Sequence, residues 1–157
     1  MITYHKGDAT QPVGEGQKYI IHVCNCVGGW GRGFVVAVSK RWKEPENAYR
    51  TWFRAKQHDE WGTFELEKIQ IVRVEPDICV VNMIAQEGYG YYDKTIPPIR
   101  YPALAQCLAT VAEHVTNENA SIHAPRIGCG LAGGTWDVVE PMLRDAFGDV
   151  AVNIYDL

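Results

Sequence analysis

Two glycine-rich segments are the residues of this sequence best suited to bind a ligand. "GGWGRG" occupies residues 28–33 and "GCGLAGG" occupies residues 128–134. Glycine adopts positive φ and, without a side chain, lets a ligand approach the main chain closely. Successive backbone N–H groups beside a helix N-terminus form a site for an anion. Together the segments predict a clamp for a diphosphate, although each alone also fits an ordinary turn between a strand and a helix.

Neither segment is a standard nucleotide-binding motif. No G-K-[ST] is present, which excludes a P-loop, and "GGWGRG" does not match G-x-G-x-x-G. The formal net charge is −4, and basic residues cluster only in "SKRWK" at 39–43. A protein that binds long nucleic acid carries a larger basic surface, so this function is excluded. Backbone amides must therefore supply much of the binding to an anionic ligand.

Each glycine segment is predicted to lie between a strand and a helix. Apolar, β-branched runs at 19–27 and 120–127 predict the strands. Apolar residues at helical spacing predict the helices: Phe34, Val38 and Trp42 after the first segment, and Trp136, Val139, Leu143 and Phe147 after the second. Pro141 falls inside the second pattern, which leaves the start of that helix open by several residues.

The remaining patterns complete an alternating order. Helices are expected over 45–56 and 100–117, and strands over 64–76, 78–86 and 150–157. The order is strand, strand, helix, helix, strand, strand, helix, strand, helix, strand. This order predicts an α/β sandwich with a mixed sheet. Ligands of such sheets bind outside the carboxyl ends of the strands, close to helix N-termini.

Length and composition set further limits. A chain of 157 residues that is 46% hydrophobic predicts a single domain over 1–157 with a substantial core. The sequence contains no apolar run of membrane-spanning length and no signal-peptide pattern, so we expect a cytoplasmic protein that does not bind membranes. The five cysteines are expected to be reduced thiols. Their spacing predicts no metal site.

Four stretches, taken in order along nearly the whole chain, carry a resemblance to a known family. They are "GDAT" at 7–10, "HVCNCVGGWGRGFVVAVSKRW" at 22–42, "NMIAQ" at 82–86 and "PRIGCGLAGGTW" at 125–136. The sequence resembles a macrodomain, the α/β/α module that binds ADP-ribose. "PRIGCGL" together with "GD" is similar to the branch containing terminal ADP-ribose protein glycohydrolases and ADP-ribose 1''-phosphate phosphatases. Stand-alone macrodomain hydrolases of actinobacterial type share "GGWG.GFV" and "GCGLAGG".

The resemblance implies a fold, a partner and roles for particular residues. The fold is a three-layer α/β/α sandwich with a mixed, mostly parallel central sheet. The partner is ADP-ribose or an ADP-ribosylated protein, and no cofactor is needed. Asp8 would accept a hydrogen bond from the adenine amino group beside the Ala9 amide, and Asn25 would orient the distal ribose. The diphosphate and distal ribose would be wrapped by Gly31, Arg32, Gly33 and Phe34 and by Gly128, Cys129, Gly130, Leu131 and Ala132.

Other residues near these positions have two interpretations each. The tyrosines of the 88–92 loop either line the ligand or are surface aromatics. Trp30 is expected to be a lid over the ligand or a surface aromatic. Arg126 either contacts phosphate or forms a structural ion pair. His22 and His123 alternate within strands and are expected to be core histidines with hydrogen-bond partners.

The sequence departs from the glycohydrolase branch at two positions that matter for catalysis. Gln86 stands where that branch has its catalytic lysine, and Ala132 stands where it has an aspartate. A lysine nucleophile is therefore not expected, and Asn25 and Gln86 remain as candidate catalytic residues. The expected function is hydrolysis of ester-linked ADP-ribose by a bound water. The alternatives, in order of preference, are an ADP-ribose 1''-phosphate phosphatase and a non-catalytic ADP-ribose reader. A binder of small nucleotides or RNA ends is an alternative of a different class.

Overall fold

The structure is a computed structural model that describes residues 1–88, 95–116 and 118–157. Within these residues four helices form: α1 (Phe34–Arg41), α2 (Glu44–Ala55), α3 (Tyr101–Val115) and α4 (Trp136–Phe147). The strands are β1 (Ile2–Lys6), β2 (Lys18–Asn25), β3 (Gln57–His58), β4 (Gly62–Thr63), β5 (Ile69–Glu75), β6 (Ile78–Gln86), β7 (Ser121–Ala124) and β8 (Val152–Asp156). The predicted order of elements is confirmed, with the small β3–β4 hairpin as an addition.

The main sheet is mixed and mostly parallel, as predicted. Its six strands run in the order β1-β8-β7-β2-β6-β5. All neighbouring pairs are parallel except β5 and β6, which are antiparallel. The carboxyl ends of β1, β8, β7, β2 and β6 therefore lie along one edge, where α/β proteins bind their ligands.

Helices cover both faces of the sheet and complete three layers. Along β2, Ile20 and Cys24 pack with buried residues of α1 and α2, whereas Tyr19 and Ile21 pack with those of α3 and α4. This alternation is the two-residue period of a strand. Because both faces are buried, most residues of β2 and β6 are apolar. All five cysteines are free thiols.

Some predicted boundaries differ from the observed ones. The strand predicted at 64–76 begins only at Ile69, because the preceding residues close the β3–β4 hairpin against α2, where Trp52 Nε1 donates to the Gly62 carbonyl at 2.9 Å. Helix α4 continues through Pro141, which is exposed. Every helix in the described ranges is too short or too polar to cross a lipid bilayer.

Candidate functional site

A cleft of about 520 Å³ lies at the carboxyl edge of the sheet. We call it the main cleft. Its volume falls within the range of small-molecule sites. Its lining includes most of the residues predicted to bind or act on a ligand: Asp8, Ala9, Arg32, Gly33, Phe34, Gln86, Gly128, Gly130, Leu131 and Ala132. Asn25, Gly31 and Cys129 were also predicted to contact the ligand, but they lie outside this lining.

The first glycine loop ends at an uncapped helix. Gly33 is the N-cap residue of α1, with φ 83° and ψ −146°, a backbone conformation that L-residues rarely adopt. No side chain of the described residues caps this helix, and the first helical hydrogen bond runs from the Val36 N–H to the Gly33 carbonyl at 3.1 Å. Within the described part of the chain, the N–H groups of Gly33 and Phe34 have no acceptor. The start of α1 can therefore bind an anion.

The second glycine loop is closed by its own backbone and meets the first loop. The Gly134 N–H donates to the Gly128 carbonyl at 2.7 Å. A Cβ atom at Gly134 would lie 2.5 Å from that carbonyl oxygen, so only glycine fits there. Leu131 Cδ1 lies 3.8 Å from the position that a Cβ atom of Gly33 would occupy. Among the described residues, the N–H groups of Gly130, Leu131 and Ala132 have no acceptor.

Asn25 is bonded within the first loop. Its Nδ2 donates to the Gly29 carbonyl at 2.9 Å. Its Oδ1 accepts from the N–H groups of Val27 and Gly29 at 3.0 and 2.9 Å and from the Tyr49 hydroxyl at 2.9 Å. The Tyr49 hydroxyl is also 2.6 Å from the Asn25 carbonyl oxygen. Asn25 thus holds the loop to α2, and its contact with a ribose stays a prediction.

Asp8 has one carboxylate oxygen fixed by the turn that follows β1. Its Oδ1 accepts from the N–H and the hydroxyl of Thr10, both at 2.8 Å. Thr10 and Ala9 are each 2% exposed, which anchors the turn. Among the described residues no group bonds the other oxygen, and Asp8 lines the main cleft. Asp8 is therefore a turn residue, and its contact with a ligand stays a prediction.

Gln86 and Ala132, the two positions at which the sequence departs from the glycohydrolase branch, line the main cleft with an amide and a methyl group. Gln86 Nε2 donates to the Gly88 carbonyl at 2.8 Å. Ala132 is 6% exposed, and its carbonyl accepts from the Ile99 N–H at 3.0 Å. Of the described lining residues, only Asp8 has a carboxylate side chain. The loop tyrosines, predicted either to line the ligand or to be surface aromatics, lie outside the described residues.

Comparison with known proteins identifies the family. No protein-family model matches the chain. A solved protein of unknown function from Bacteroides thetaiotaomicron is 49% identical with a TM-score of 0.93, over 100% of this chain and 98% of that one. A macrodomain protein from Streptomyces coelicolor is 47% identical with a TM-score of 0.84, over 100% of this chain and 99% of that one. The chain belongs to the macrodomain family.

Two more distant relatives have a known ligand or a named activity of their own. An ADP-ribose 1''-phosphate phosphatase from Saccharomyces cerevisiae is 24% identical over 99% of this chain and 98% of its own length. A mutant macrodomain from Oceanobacillus iheyensis, solved with ADPR, is 16% identical with a TM-score of 0.68, over 98% of this chain and 83% of that one. That structural likeness shows the macrodomain fold alone.

A buried polar row lies beneath the main cleft of this macrodomain. His22, Asn82 and Gln70 are neighbours in register on β2, β6 and β5. Asn82 Nδ2 donates to Gln70 Oε1 at 3.0 Å and to the Pro45 carbonyl at 3.2 Å. Because Asn82 uses its nitrogen as the donor, its Oδ1 must accept from His22 Nε2, 2.6 Å away. Burial lowers the pKa of His22 to about 4, against a smaller opposing effect of the Asn82 hydrogen bond.

This histidine should make the macrodomain less stable in acid. An unfolded histidine titrates near 6.5, whereas His22 stays neutral down to about 4, so the unfolded state binds more protons in between. Between pH 7 and pH 5 the free energy of unfolding should fall by about 2 kcal/mol through His22. Urea unfolding at pH 7 and pH 5 should show a smaller fall in the free energy of unfolding for His22→Gln than for the wild type. The glutamine keeps a donor for Asn82. An equal fall in both proteins would contradict this assignment.

Two side chains whose roles were open have structural partners. Trp30 is 6% exposed, donates from Nε1 to Ser39 Oγ at 2.7 Å and packs on Tyr49 with ring centroids 5.3 Å apart. Both predictions for Trp30, a lid or a surface aromatic, are wrong, because α2 folds over it. Arg126 forms the predicted ion pair: its guanidinium binds both carboxylate oxygens of Asp156 at 2.8 and 3.0 Å.

The sequence patterns did not identify the apolar walls of the main cleft. These include Val23, Ala37, Ile127 and Tyr155. Ala37 lies one helical turn after Gly33, and this spacing could have identified it. Tyr155 lies at the end of β8, whose place between β1 and β7 is not visible in the sequence. In the described ranges, no three His, Cys, Asp or Glu side chains form a group that could hold a metal ion.

Proposed function

We propose that this macrodomain binds ADP-ribose in the main cleft, with the diphosphate between the two glycine loops. The observation that carries the proposal is a set of backbone N–H groups that have no acceptor among the described residues, at Gly33 and Phe34 on one side and at Gly130, Leu131 and Ala132 on the other. Main-chain donors suit a ligand with two phosphates in a protein whose net charge is −4. The name of the yeast phosphatase and the ADPR bound to the Oceanobacillus macrodomain support the same ligand.

Asp8 defines the adenine end of the proposed ligand. Thr10 holds one of its oxygens, and the other can accept from an exocyclic amine, as a carboxylate prefers. The ligand then runs from Asp8 past Gly33 toward Gln86, and all three line the main cleft. Isothermal calorimetry with ADP-ribose tests this directly, with AMP and ribose 5-phosphate as partial ligands. No heat at millimolar ADP-ribose would overturn the binding proposal.

Asp8→Asn should change the base preference of the macrodomain. The asparagine Oδ1 can still accept from Thr10. Its NH₂ group would then face the adenine amino group, and because both groups are donors, no hydrogen bond can form between them. We expect ADP-ribose affinity to fall roughly tenfold to a hundredfold, by analogy with a lost hydrogen bond to a charged group. The inosine analogue, which presents an oxygen acceptor there, should bind the variant better than the wild type. Calorimetry with both ligands measures the switch, and an unchanged preference would contradict the adenine assignment.

We further propose that the protein hydrolyses ADP-ribose linked through an ester to acidic side chains. Water attacks the anomeric carbon of the distal ribose, the bond from this carbon to the ester oxygen breaks, and the carboxylate leaves with the electron pair. The proton of the water passes to solvent. A carboxylate is already a good leaving group, so the protein needs mainly to position the reactants. Gln86, which lines the main cleft, is the residue we assign to orient the water.

The reaction can be tested with a protein modified on glutamate. We expect release of free ADP-ribose within hours, and incubation in ¹⁸O-water should leave the liberated glutamate unlabelled because the attack is at the sugar. Label in the glutamate would show attack at the acyl carbon and overturn this mechanism. Intact substrate despite normal ADP-ribose affinity would leave a non-catalytic reader.

The second candidate is removal of phosphate from ADP-ribose 1''-phosphate. The similarity to the yeast enzyme of that name over 99% of this chain favours it. It requires the same binding mode, with the phosphate on the distal ribose near Gln86. Release of inorganic phosphate from ADP-ribose 1''-phosphate is the deciding measurement. Release from this compound but not from the glutamate ester would make the phosphatase the function.

A further inference from the structure

A second cleft opens beside the main cleft, with a volume of about 660 Å³. The two clefts share Asp8, Gly33 and Ala37, so they meet along one boundary. The remaining residues of the second cleft are Thr10, Gln11, Val36, Lys40 and Arg41. Neither the glycine loops' anion site nor the proposed chemistry uses this space.

One wall of the second cleft is a single stripe of α1. Val36, Ala37, Lys40 and Arg41 follow Gly33 at offsets of three, four, seven and eight residues, which is the spacing of one helix face. The facing wall is the turn after β1, where Thr10 is bonded to Asp8. The cleft thus leads from the boundary with the main cleft toward the carboxyl end of α1.

The end of the stripe is positively charged. Lys40 is exposed, and its amine has no acid within ion-pair distance among the described residues. Arg41 Nη2 is 3.8 Å from Glu75 Oε2, and both side chains are more than a third exposed, so this pair is weak. In a chain with net charge −4, two neighbouring cations at a cleft select for an anion.

This inference rests on the proposed function, in which the adenosine of the ligand lies along the boundary between the two clefts. Adenine at Asp8 and diphosphate at Gly33 place the adenosine ribose between them, along the boundary that both clefts share. A group attached to that ribose and directed away from the main cleft enters the second cleft. We propose that the second cleft binds a phosphate on the adenosine ribose, so that the preferred ligand is ADP-ribose bearing a 2'- or 3'-phosphomonoester.

The test compares ADP-ribose with its adenosine 2'-phosphate and 3'-phosphate by calorimetry at low salt. One of the phosphorylated ligands should bind about tenfold more tightly than ADP-ribose, a gain typical of a dianion near two exposed cations. The isomer with the gain identifies the hydroxyl. Lys40→Ala should reduce the ratio of the two dissociation constants to about threefold, and Lys40→Ala with Arg41→Ala should bring it to about one. Lys43→Ala removes the same charge outside the cleft and should keep the ratio.

The outcomes separate this inference from the proposed function. If ADP-ribose binds and neither phosphate improves affinity, the second cleft is not a phosphate site. If the gain persists in the double variant or is lost in Lys43→Ala, the positive stripe of α1 is not its cause, and the inference also falls. If no ADP-ribose compound binds, the proposed function itself fails. The gain should also shrink as salt rises from 20 to about 500 mM, because exposed charges are screened.

Discussion

Gly33→Glu is expected to abolish ADP-ribose binding. Gly33 has a positive φ, lines the main cleft and provides the N-cap of α1. A glutamate there places a carboxylate where we propose the diphosphate binds, beside the N-terminus of the helix. At about 4 Å and an effective dielectric constant near 20, one pair of like charges costs roughly 4 kcal/mol, or about a thousandfold in affinity. The added side chain also occupies part of the cleft.

The control for Gly33→Glu must separate charge from backbone strain. Gly62 also has a positive φ, and no atom of the described residues lies within 4 Å of its Cβ position, but it belongs to the β3–β4 hairpin. Gly62→Glu therefore reproduces the change in charge and conformation away from the cleft, and it should bind ADP-ribose normally. Gly33→Ala imposes the strain without the charge and should lose far less affinity. Circular dichroism and a thermal melt establish that each variant folds.

Normal binding by Gly33→Glu would exclude the first glycine loop from the diphosphate site. The ligand would then have to bind elsewhere in the main cleft, because the carboxylate cannot lie beside a diphosphate without a loss of affinity. Equal losses in Gly33→Glu and Gly33→Ala would instead attribute the effect to the conformation of the loop. Only a large difference between them supports direct contact with the phosphates.

The fold and the position of the site followed from local patterns. Buried strands such as β2 are mostly apolar, and each glycine loop follows such a strand and precedes a helix. Because parallel strands place their carboxyl ends at one edge, both glycine loops had to lie there. The sequence patterns therefore located the main cleft without any long-range contact being known.

Contacts between distant segments could not be predicted in the same way. Trp30 is buried because Tyr49 packs on it from α2, nineteen positions later in the sequence. Asn25 is turned into its own loop because that same Tyr49 hydroxyl reaches its carbonyl and its Oδ1. Nothing in the local pattern near Asn25 indicates this partner. Sequence motifs thus indicated most of the residues that line the main cleft, but not the contacts from α2 that hold Asn25 and Trp30.

Asn25→Ala is the second substitution with a large expected effect. The alanine removes the acceptor for the N–H groups of Val27 and Gly29 and the donor to the Gly29 carbonyl. It also removes one acceptor of the Tyr49 hydroxyl, which is buried with the rest of that side chain at 0% exposure. Each lost bond of this kind costs about 1 kcal/mol, so the free energy of unfolding should fall by roughly 2–4 kcal/mol.

The same variant distinguishes two roles of Asn25. If Asn25 acts by holding the loop, the amides of the following residues lose their alignment, and ADP-ribose affinity should fall roughly tenfold to a hundredfold. If Asn25 instead orients the distal ribose, the dissociation constant should change little while turnover of the glutamate ester falls. Calorimetry with ADP-ribose decides between them without depending on turnover. The contacts of Asn25 within the loop favour the first result.

Two further variants make the assignment specific to the loop. Tyr49→Phe removes a single hydroxyl and leaves the three bonds from Asn25 to the loop, so it should weaken binding by less than Asn25→Ala. Asn47→Ala is an exposed substitution on the same helix and should leave the affinity unchanged. If Tyr49→Phe weakens ADP-ribose binding more than Asn25→Ala does, the loop is held mainly by the hydrogen bond from α2 to the Asn25 backbone and not by the Asn25 side chain. The Tyr49 hydroxyl is 2.6 Å from the Asn25 carbonyl oxygen and 2.9 Å from Oδ1. Tyr49→Phe removes both of these hydrogen bonds, whereas Asn25→Ala removes only the one to Oδ1 and keeps the one to the backbone.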